Sequence, residues 1–377
     1  MKSLEYKKKI LVLSTNRSDY GLLKNLIIEL KKNKNFLVKL VVSGSHLIQR
    51  YGNTINEIKQ DKIEVFKKLK TTYESDTPFG VCKFNLEISK KLNQLLLKNK
   101  FDILIVLGDR SEMLFCSTVS LIHNIKLVHI HGGEVTMGAI DNQIRNAISQ
   151  ISSLHFVSHK NYKKNLIKSG INKNKIHLVG ALGASAIEKY KLLSKKNVEK
   201  KINIKLNKKY LLVTYHPVTL KKLLLKKEFL NLMNCLNQFD DVIKIITSPN
   251  IDSENFEILK IINYYVKNFN NFYFFKSLGS LNYLSLLKFC DGVVGNSSSG
   301  ILEAPSFKVP TLNIGNRQLG RSQSKSILNV SNKKINIIKA LNKILNDKKF
   351  KSKLKKTKNI YYQKRTEKKI IKELLKI

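Results

Sequence analysis

Arginine is scarce in this chain. Of 377 residues 69 are Lys or Arg, and only seven of those are Arg: Arg17, Arg50, Arg110, Arg145, Arg317, Arg321 and Arg365. Lys is a hydrated point charge, whereas Arg is a planar fork that grips phosphate or carboxylate through paired hydrogen bonds. A chain that writes nearly every positive charge as Lys therefore marks with Arg the places where a fork is needed. Acidic residues are also few, 27 against those 69, which leaves a formal net charge of +42. The lysines run along the whole length instead of clustering, so they indicate a biased surface composition over a nucleic-acid interface. Cysteine is sparse and scattered: Cys82, Cys116, Cys235 and Cys290 form no CxxC pair, which speaks against a zinc ribbon or a disulfide framework. No apolar run reaches membrane-spanning length, and the N-terminal MKSLEYKKKILVLST is too short in its apolar part for a signal-peptide core. A soluble cytoplasmic protein is the expectation.

What is present is a 42% hydrophobic chain long enough for two domains. Short apolar runs at Ile10–Ser14, Leu37–Ser43, Ile103–Leu107, Leu127–Ile130, Leu154–Val157 and Ile176–Val179 read as buried parallel strands, with helical patterns between them. The alternation pauses over the Lys/Asn-rich stretch 194–209. It restarts with strands at Tyr210–Thr214, Val242–Thr247, Asn271–Phe275, Gly292–Gly295 and Thr311–Ile314. Two tandem α/β domains are predicted, with a ligand at the carboxyl ends of the strands. The Lys-rich tail, 347–377, is helical by pattern, and its twelve lysines suit the solvated face of a terminal helix.

Polar residues gather where the strands end. Gly295-Asn296-Ser297-Ser298-Ser299-Gly300 closes one strand and opens a helix, a turn whose unpaired N–H groups and hydroxyls suit an anion. Glu303 follows one turn later, placed to accept from ribose hydroxyls or to serve as an ordinary helical Glu. The next strand ends in Asn313-Ile314-Gly315-Asn316-Arg317-Gln318-Leu319-Gly320-Arg321, which brings two arginines to the same edge. Ser14-Thr15-Asn16-Arg17-Ser18-Asp19 is a similar turn, without the GxGxxG of a dinucleotide fold or the GK[ST] of a P-loop. In Gly108-Asp109-Arg110-Ser111-Glu112 the Asp suits acid, base or orienting work, or else a helix N-cap. His129-Ile130-His131-Gly132-Gly133-Glu134 and Asp141-Asn142-Gln143-Ile144-Arg145-Asn146 add imidazole and acidic groups. His129 and His131 have no clear further metal ligands. His216 closes a strand just before Pro217, and Ser248-Pro249-Asn250 closes the next.

Together these segments resemble the UDP-N-acetylglucosamine 2-epimerase family, specifically its hydrolysing branch used in sialic-acid-type sugar synthesis. The matching text is TNRSDYGLL, SDTPFGV, VLGDRSEM, HIHGGEVTMGAID, VTYHPVT, SPNID and GNSSSGILEAPSFKVPTLNIGNRQLGR, in family order from residue 15 to 321. The resemblance implies two Rossmann-like domains facing across a cleft, the GT-B arrangement, with the C-terminal helix packing back on the first domain. The implied boundaries are 1–182, 183–358 and 359–377. It implies no metal and no nicotinamide cofactor, a nucleotide-sugar substrate, no specific nucleic acid or membrane partner, and a homo-oligomer, dimer or tetramer. The implied reaction is elimination of UDP from UDP-GlcNAc to 2-acetamidoglucal, followed by hydration to N-acetylmannosamine. A UDP- or GDP-linked 2,4-diacetamido-trideoxy hexose is the alternative substrate.

Carried onto this sequence, the resemblance implies that Arg17, His216, Ser297, Ser298 and Arg317 hold the diphosphate and that Glu303 holds the ribose. Leu278 meets the uracil through its backbone and Asn250 borders the nucleotide. Asp76 and Thr77 touch the sugar. Asp109, His131, Glu134 and Asp141 do the proton work, with His216 at hand. Arg110 and Arg145 orient the acids, and Arg321 supports the Arg317 loop. The chain departs from the family in having His131 where many members carry Glu, and Asn146 where many carry His, which leaves the identity of the C2 base open. A GT-B glycosyltransferase would use the same nucleotide site but has no need of the Asp109, Glu134 and Asp141 acids. A nucleic-acid binder would rest on charge alone.

Overall fold

The computed structural model describes residues 6–49, 52–75, 77–136, 140–216, 222–248 and 255–377. Asp76 and Asn250 lie outside these, as do Arg50 and Pro217. The described chain forms two parallel sheets. The first contains β1 (Lys8–Ser14), β2 (Phe36–Val42), β3 (Val65–Lys68), β4 (Ile103–Leu107), β5 (Lys126–Ile130), β6 (Leu154–Val157) and β7 (Ile176–Leu178), in the order β3-β2-β1-β4-β5-β6-β7. The second contains β8 (Lys209–Thr214), β9 (Val242–Thr247), β10 (Phe272–Phe275), β11 (Gly292–Gly295), β12 (Thr311–Ile314) and β13 (Ile327–Val330), in the order β10-β9-β8-β11-β12-β13. Every pairing is parallel. These are two doubly wound Rossmann-like sheets, the fold class the alternating apolar runs predict.

The near-continuous apolar runs follow from burial on both faces. Successive side chains of a strand point to opposite faces. Ile10 and Val12 of β1 accordingly enter one core with Tyr20, Leu23 and Ile27 of the helix Arg17–Lys32. Leu11 and Leu13 enter another with Phe84, Ile88 and Leu92 of the helix Pro78–Lys98. The second sheet repeats the device, with Leu211 and Val213 on one face and Tyr210 and Leu212 on the other.

Two compact units divide the chain: Met1–Glu134, Asp141–Ala186 and Gln363–Ile377 form one, Val135–Ile140 and Ile187–Tyr362 the other. The last helix, Thr366–Leu374, belongs to the first unit, where Thr366 Oγ1 donates to the Val179 carbonyl at 2.7 Å and Lys8 Nζ donates to the Leu375 carbonyl at 2.8 Å.

Three local expectations are corrected. Strands β3 and β13 were not anticipated; both are edge strands, and VFKK and ILNV are too short and too exposed to show an apolar run. The Lys/Asn-rich pause holds a helix, Lys195–Ile202, which buries only Val198 and Ile202. The helix expected after Gly295-Asn296-Ser297 is only Ser299–Leu302, followed by a 3₁₀ turn at Ala304–Phe307. Pro305, with no N–H, breaks it. A four-residue helix has little macrodipole, so an anion there would rely on individual N–H and hydroxyl groups.

Candidate functional site

In a doubly wound sheet the strand order reverses beside the first strand of the unit, and the carboxyl ends there open into a crevice. In the first unit that point lies between β1 and β4. The turn leaving β1 is organised by Asp19. Its carboxylate accepts from the Thr15 N–H at 2.9 Å, Thr15 Oγ1 at 3.0 Å, the Asn16 N–H at 3.1 Å, and the Ser14 hydroxyl. Asn16 returns the favour by capping the helix through Ser18 and Asp19, a complete capping box. The turn is thereby fixed with half-exposed Arg17 at the first helical position. Burial pushes the Asp19 carboxyl up to about 6 despite its four donors. His46 lies behind, with Nε2 at 2.9 Å from Ser14 Oγ and Nδ1 at 2.9 Å from Thr54 Oγ1. Its burial lowers it to about 3, so the ring is neutral.

β4 ends at Gly108, whose φ of +82° turns the chain sharply and presents Asp109. The N-cap of the following helix, Ser111–Ile122, is Arg110. Asp109 is therefore not the N-cap. Its carboxylate pairs instead with Arg145, a side chain only 2% exposed. Another nitrogen of the same guanidinium, Nη1, donates to the Glu134 carbonyl at 2.8 Å. Arg110 lies 3.5 Å from the buried Glu112 carboxylate. Arg145 occupies the buried face of the helix Asp141–Ile151, one turn after Asp141.

The turn leaving β5 is held in an unusual conformation. His131 has φ of +67°, the left-handed region that L-residues seldom occupy. Gly133 follows at +73°, and a Cβ there would lie 2.5 Å from the Tyr162 carbonyl oxygen. The turn buries Glu134 to 2% exposure and His131 to 4%. His131 Nδ1 lies 3.5 Å from Glu134 Oε1, which accepts from Ser158 Oγ at 2.7 Å. Asn165 Nδ2 donates to the Gly133 carbonyl at 2.9 Å. Asp109, Arg145, Glu134 and His131 thus form one connected cluster. Thr77 stands apart: its Oγ1 caps the helix Pro78–Lys98 by accepting from the Gly80 N–H at 3.2 Å.

In the second unit the equivalent point lies between β8 and β11. Gly295, with φ of +131°, passes so close to Thr214 that a Cβ would sit 2.0 Å from its carbonyl oxygen. The next residue, Asn296, is 1% exposed and spans two turns. Its Oδ1 accepts from the His216 N–H at 2.7 Å and its Nδ2 donates to the His216 carbonyl at 2.8 Å. The Asn296 carbonyl in turn accepts from Arg317 Nη1 at 3.1 Å and Gln318 Nε2 at 2.7 Å. One residue, through its side-chain amide and its backbone carbonyl, therefore holds together the His216 turn, the serine turn and the Arg317 loop. Ser297 and Ser298 are half-buried. Neither is used as a conventional cap: Ser298 makes no side-chain cap bond, and Ser297 Oγ accepts only a long 3.4 Å contact from the Ser299 N–H.

Glu303 is reached through a relay. Tyr283 and Ser299 hydroxyls meet at 2.7 Å, and Ser299 Oγ donates to Glu303, whose carboxyl burial pushes up. Leu278 buries its side chain just before the helix Gly279–Phe289. Arg321 Nε donates to the Val135 carbonyl at 3.1 Å.

Asn296, Gln318, Asp19, His46 and Ser158 were not among the sequence candidates. Asn296, Gln318 and Asp19 sit inside the quoted motifs, so their positions were visible. His46 and Ser158 close ordinary strands and carry no local signal. Among the described residues no group of three His, Cys, Asp or Glu side chains could hold a metal ion, and no helix is long and apolar enough to cross a membrane.

Known proteins share this arrangement. The crystal structure of UDP-GlcNAc 2-epimerase from Neisseria meningitidis bound to UDP-GlcNAc superposes with a TM-score of 0.84 over 98% of this chain and all of that one, at 20% identity, a likeness of fold. The GDP/UDP-N,N'-diacetylbacillosamine 2-epimerase (hydrolyzing) of Campylobacter jejuni is 38% identical over 323 residues, 85% of this chain and 84% of that protein. The polysialic acid biosynthesis protein P7 of Escherichia coli is 32% identical over 357 residues, 94% of this chain and 90% of that protein. The family model for UDP-N-acetylglucosamine 2-epimerase matches residues 28–375, through both Rossmann-like units, and the chain belongs to that family.

Proposed function

We propose that this chain is a hydrolysing nucleotide-sugar 2-epimerase whose substrate is a UDP- or GDP-linked 2,4-diacetamido-trideoxy hexose. The observation that carries the reaction is the cluster at the ends of β4 and β5, where Arg145 holds Asp109 and the Glu134 turn on one guanidinium. Elimination removes a proton from C2, forms the C1–C2 double bond and breaks the bond from C1 to the diphosphate oxygen. Hydration then places a water oxygen on C1 and a proton on the opposite face of C2. The steps need one group in its acceptor form and one that delivers a proton. The ion pair presents Asp109 as a carboxylate and suits it to the first task. His131, backed by Glu134, suits the second, and Asp141 stands one helical turn before Arg145 to assist.

The second unit contributes binding. Arg317, Ser297, Ser298 and His216 receive the diphosphate in this reading. Glu303 accepts from the ribose, and the Leu278 backbone meets the base. A departing nucleotide carries negative charge that preorganised donors stabilise. No step calls on a metal or a nicotinamide.

The diacetamido sugar is favoured by the name of the C. jejuni relative at 38% identity. UDP-GlcNAc, leading to N-acetylmannosamine, is the second reading, favoured by the family description. Incubation with each nucleotide sugar in D₂O, followed by NMR, tests both. The expected result is free nucleotide plus a free 2-epimerised sugar deuterated at C2, with the diacetamido substrate giving the higher kcat/KM. A higher value for UDP-GlcNAc would reverse the substrate assignment. No nucleotide release from any of them would overturn the reaction.

A further inference from the structure

His129 precedes the turn that carries His131 and Glu134, and its side chain is fully buried. Three pieces of the first unit meet at its ring. Nε2 lies 2.8 Å from the Gly108 carbonyl oxygen, in the residue just before Asp109. Nδ1 lies 3.0 Å from Ser149 Oγ, one helical turn after Arg145. Gly132 packs its backbone against both groups, since a Cβ there would lie 3.0 Å from His129 Nδ1 and 3.0 Å from Ser149 Oγ.

The chemistry of these contacts fixes the tautomer. A carbonyl oxygen only accepts, so Nε2 carries the proton. In a neutral ring Nδ1 then accepts from the serine hydroxyl. Burial lowers this histidine to about 3, which keeps it neutral across the working range. Gly108 is gripped on both sides, because its own N–H donates to the Ile130 carbonyl at 3.0 Å. A positive-φ glycine is the most mobile residue on which to mount a catalytic acid or base. Here that freedom is removed by the strand on one side and an imidazole on the other.

We propose that His129 is a positioning residue for proton transfer at the sugar: it sets the Asp109 turn, the Arg145 helix and the His131–Glu134 turn at fixed distances from one another. The role rests on the 2-epimerase reading above. It is distinct from mere core filling, because the working atom is Nε2 on the Gly108 carbonyl and not the ring's bulk.

Substitutions that separate the two ring nitrogens test it. The amide of Gln reaches the Nε2 position and that of Asn only the Nδ1 position. His129→Asn is expected to lower kcat about 30-fold, as a displacement of up to an ångström would. KM and the UDP dissociation constant should stay within about twofold of wild type, because binding does not depend on this turn in that reading. His129→Gln is expected to recover most of the loss. Asn and Gln variants that are equally impaired, or a KM that rises while kcat holds, would overturn the role. If neither variant folds, Ser149→Ala decides: a kcat about fivefold lower at unchanged KM supports the role, and an unchanged kcat overturns it. Wild-type nucleotide release is measured alongside. Its absence would sink the 2-epimerase reading itself, whereas an active wild type with an equally active His129→Asn sinks only the positioning role.

Discussion

The two units wind their central strands in the same order and finish them with different chemistry. Around the ends of β1, β2, β4 and β5 the first unit buries titratable groups: Asp19, His46, His131, Glu134 and, from the helix Asp141–Ile151, Arg145, with Asp109 reaching into the cluster. At the ends of β8, β11 and β12 the second unit buries mostly amides, Asn296, Asn313 and Gln318, beside the single imidazole of His216, and half-buries hydroxyls and the guanidinium of Arg317. A buried charge is costly unless paired, and so each charge of the first unit has a named partner. A buried amide is satisfied by backbone, and so one Asn296 fixes three loops without an ion. The topology sets where a site can be, and the residues at the strand ends decide what it does. Paired acids and imidazoles suit proton transfer; rigid neutral donors flanked by Arg suit an anion that arrives and leaves.

The comparison breaks most sharply at Asp109. Asp109→Asn should cut kcat at least about a thousandfold, because it removes the proton acceptor and the Arg145 pair together. UDP affinity, measured by calorimetry, should stay within about threefold of wild type. Loss of UDP binding in parallel would place Asp109 in nucleotide recognition and erase the division of labour.

Asn296→Ala strikes the other side. It strands the His216 N–H and carbonyl in a buried turn, at a cost of about 3 kcal/mol for two unsatisfied groups. Urea unfolding reads that loss, and UDP affinity should fall with it as the His216 turn loosens, although the backbone carbonyl that Arg317 holds is retained. A variant of wild-type stability would mean that the amide does not organise the second unit.

Asp19 tests whether the first unit's charges are costly. Its folded carboxyl stands at about 6 against an ordinary 3.8, so protonation favours the folded state. Its contribution to stability is therefore fully present below pH 4 and is lost as pH rises through about 6, a change of about 3 kcal/mol. Asp19→Asn removes that dependence. The stability of wild type relative to the variant should decline between pH 4 and 7 in urea titrations. A difference that grows with pH would show that the four donors outweigh burial.

How far the sequence disclosed this contrast depends on what kind of signal each residue gave. Eleven strands announced themselves as apolar runs: nine central ones, because a parallel sheet is buried on both faces, and the edges β7 and β10, which keep apolar side chains. Edge strands β3 and β13 did not, since their lysines and asparagines face solvent. Asp109, Glu134 and Arg317 were legible because charged residues directly after an apolar strand are rare. Asn296 was printed within the same motif and passed over: an amide between glycine and serine looks like turn filler, and only the fold reveals that it spans 80 residues to His216. His46 was hidden for the same reason, and His129, though visible in its motif, gave no sign of its partners. A neutral buried histidine acts through partners that are distant in sequence, Thr54 and Ser149, and nothing nearby marks it.

The smallest effect concerns the arginine that the chain uses so sparingly. Arg317 donates to the Asn296 carbonyl from a half-exposed side chain, and that bond orients its fork. Lys at this position keeps the charge but cannot hold the carbonyl and grip a diphosphate at once. Arg317→Lys should weaken UDP binding about tenfold, or about 1.4 kcal/mol, with kcat at saturation little changed. Charge alone would predict equal affinity. An unchanged dissociation constant would show that the second unit attracts its anion through net charge, of which this surface has an excess, and that the placement of its arginine carries no information about the ligand.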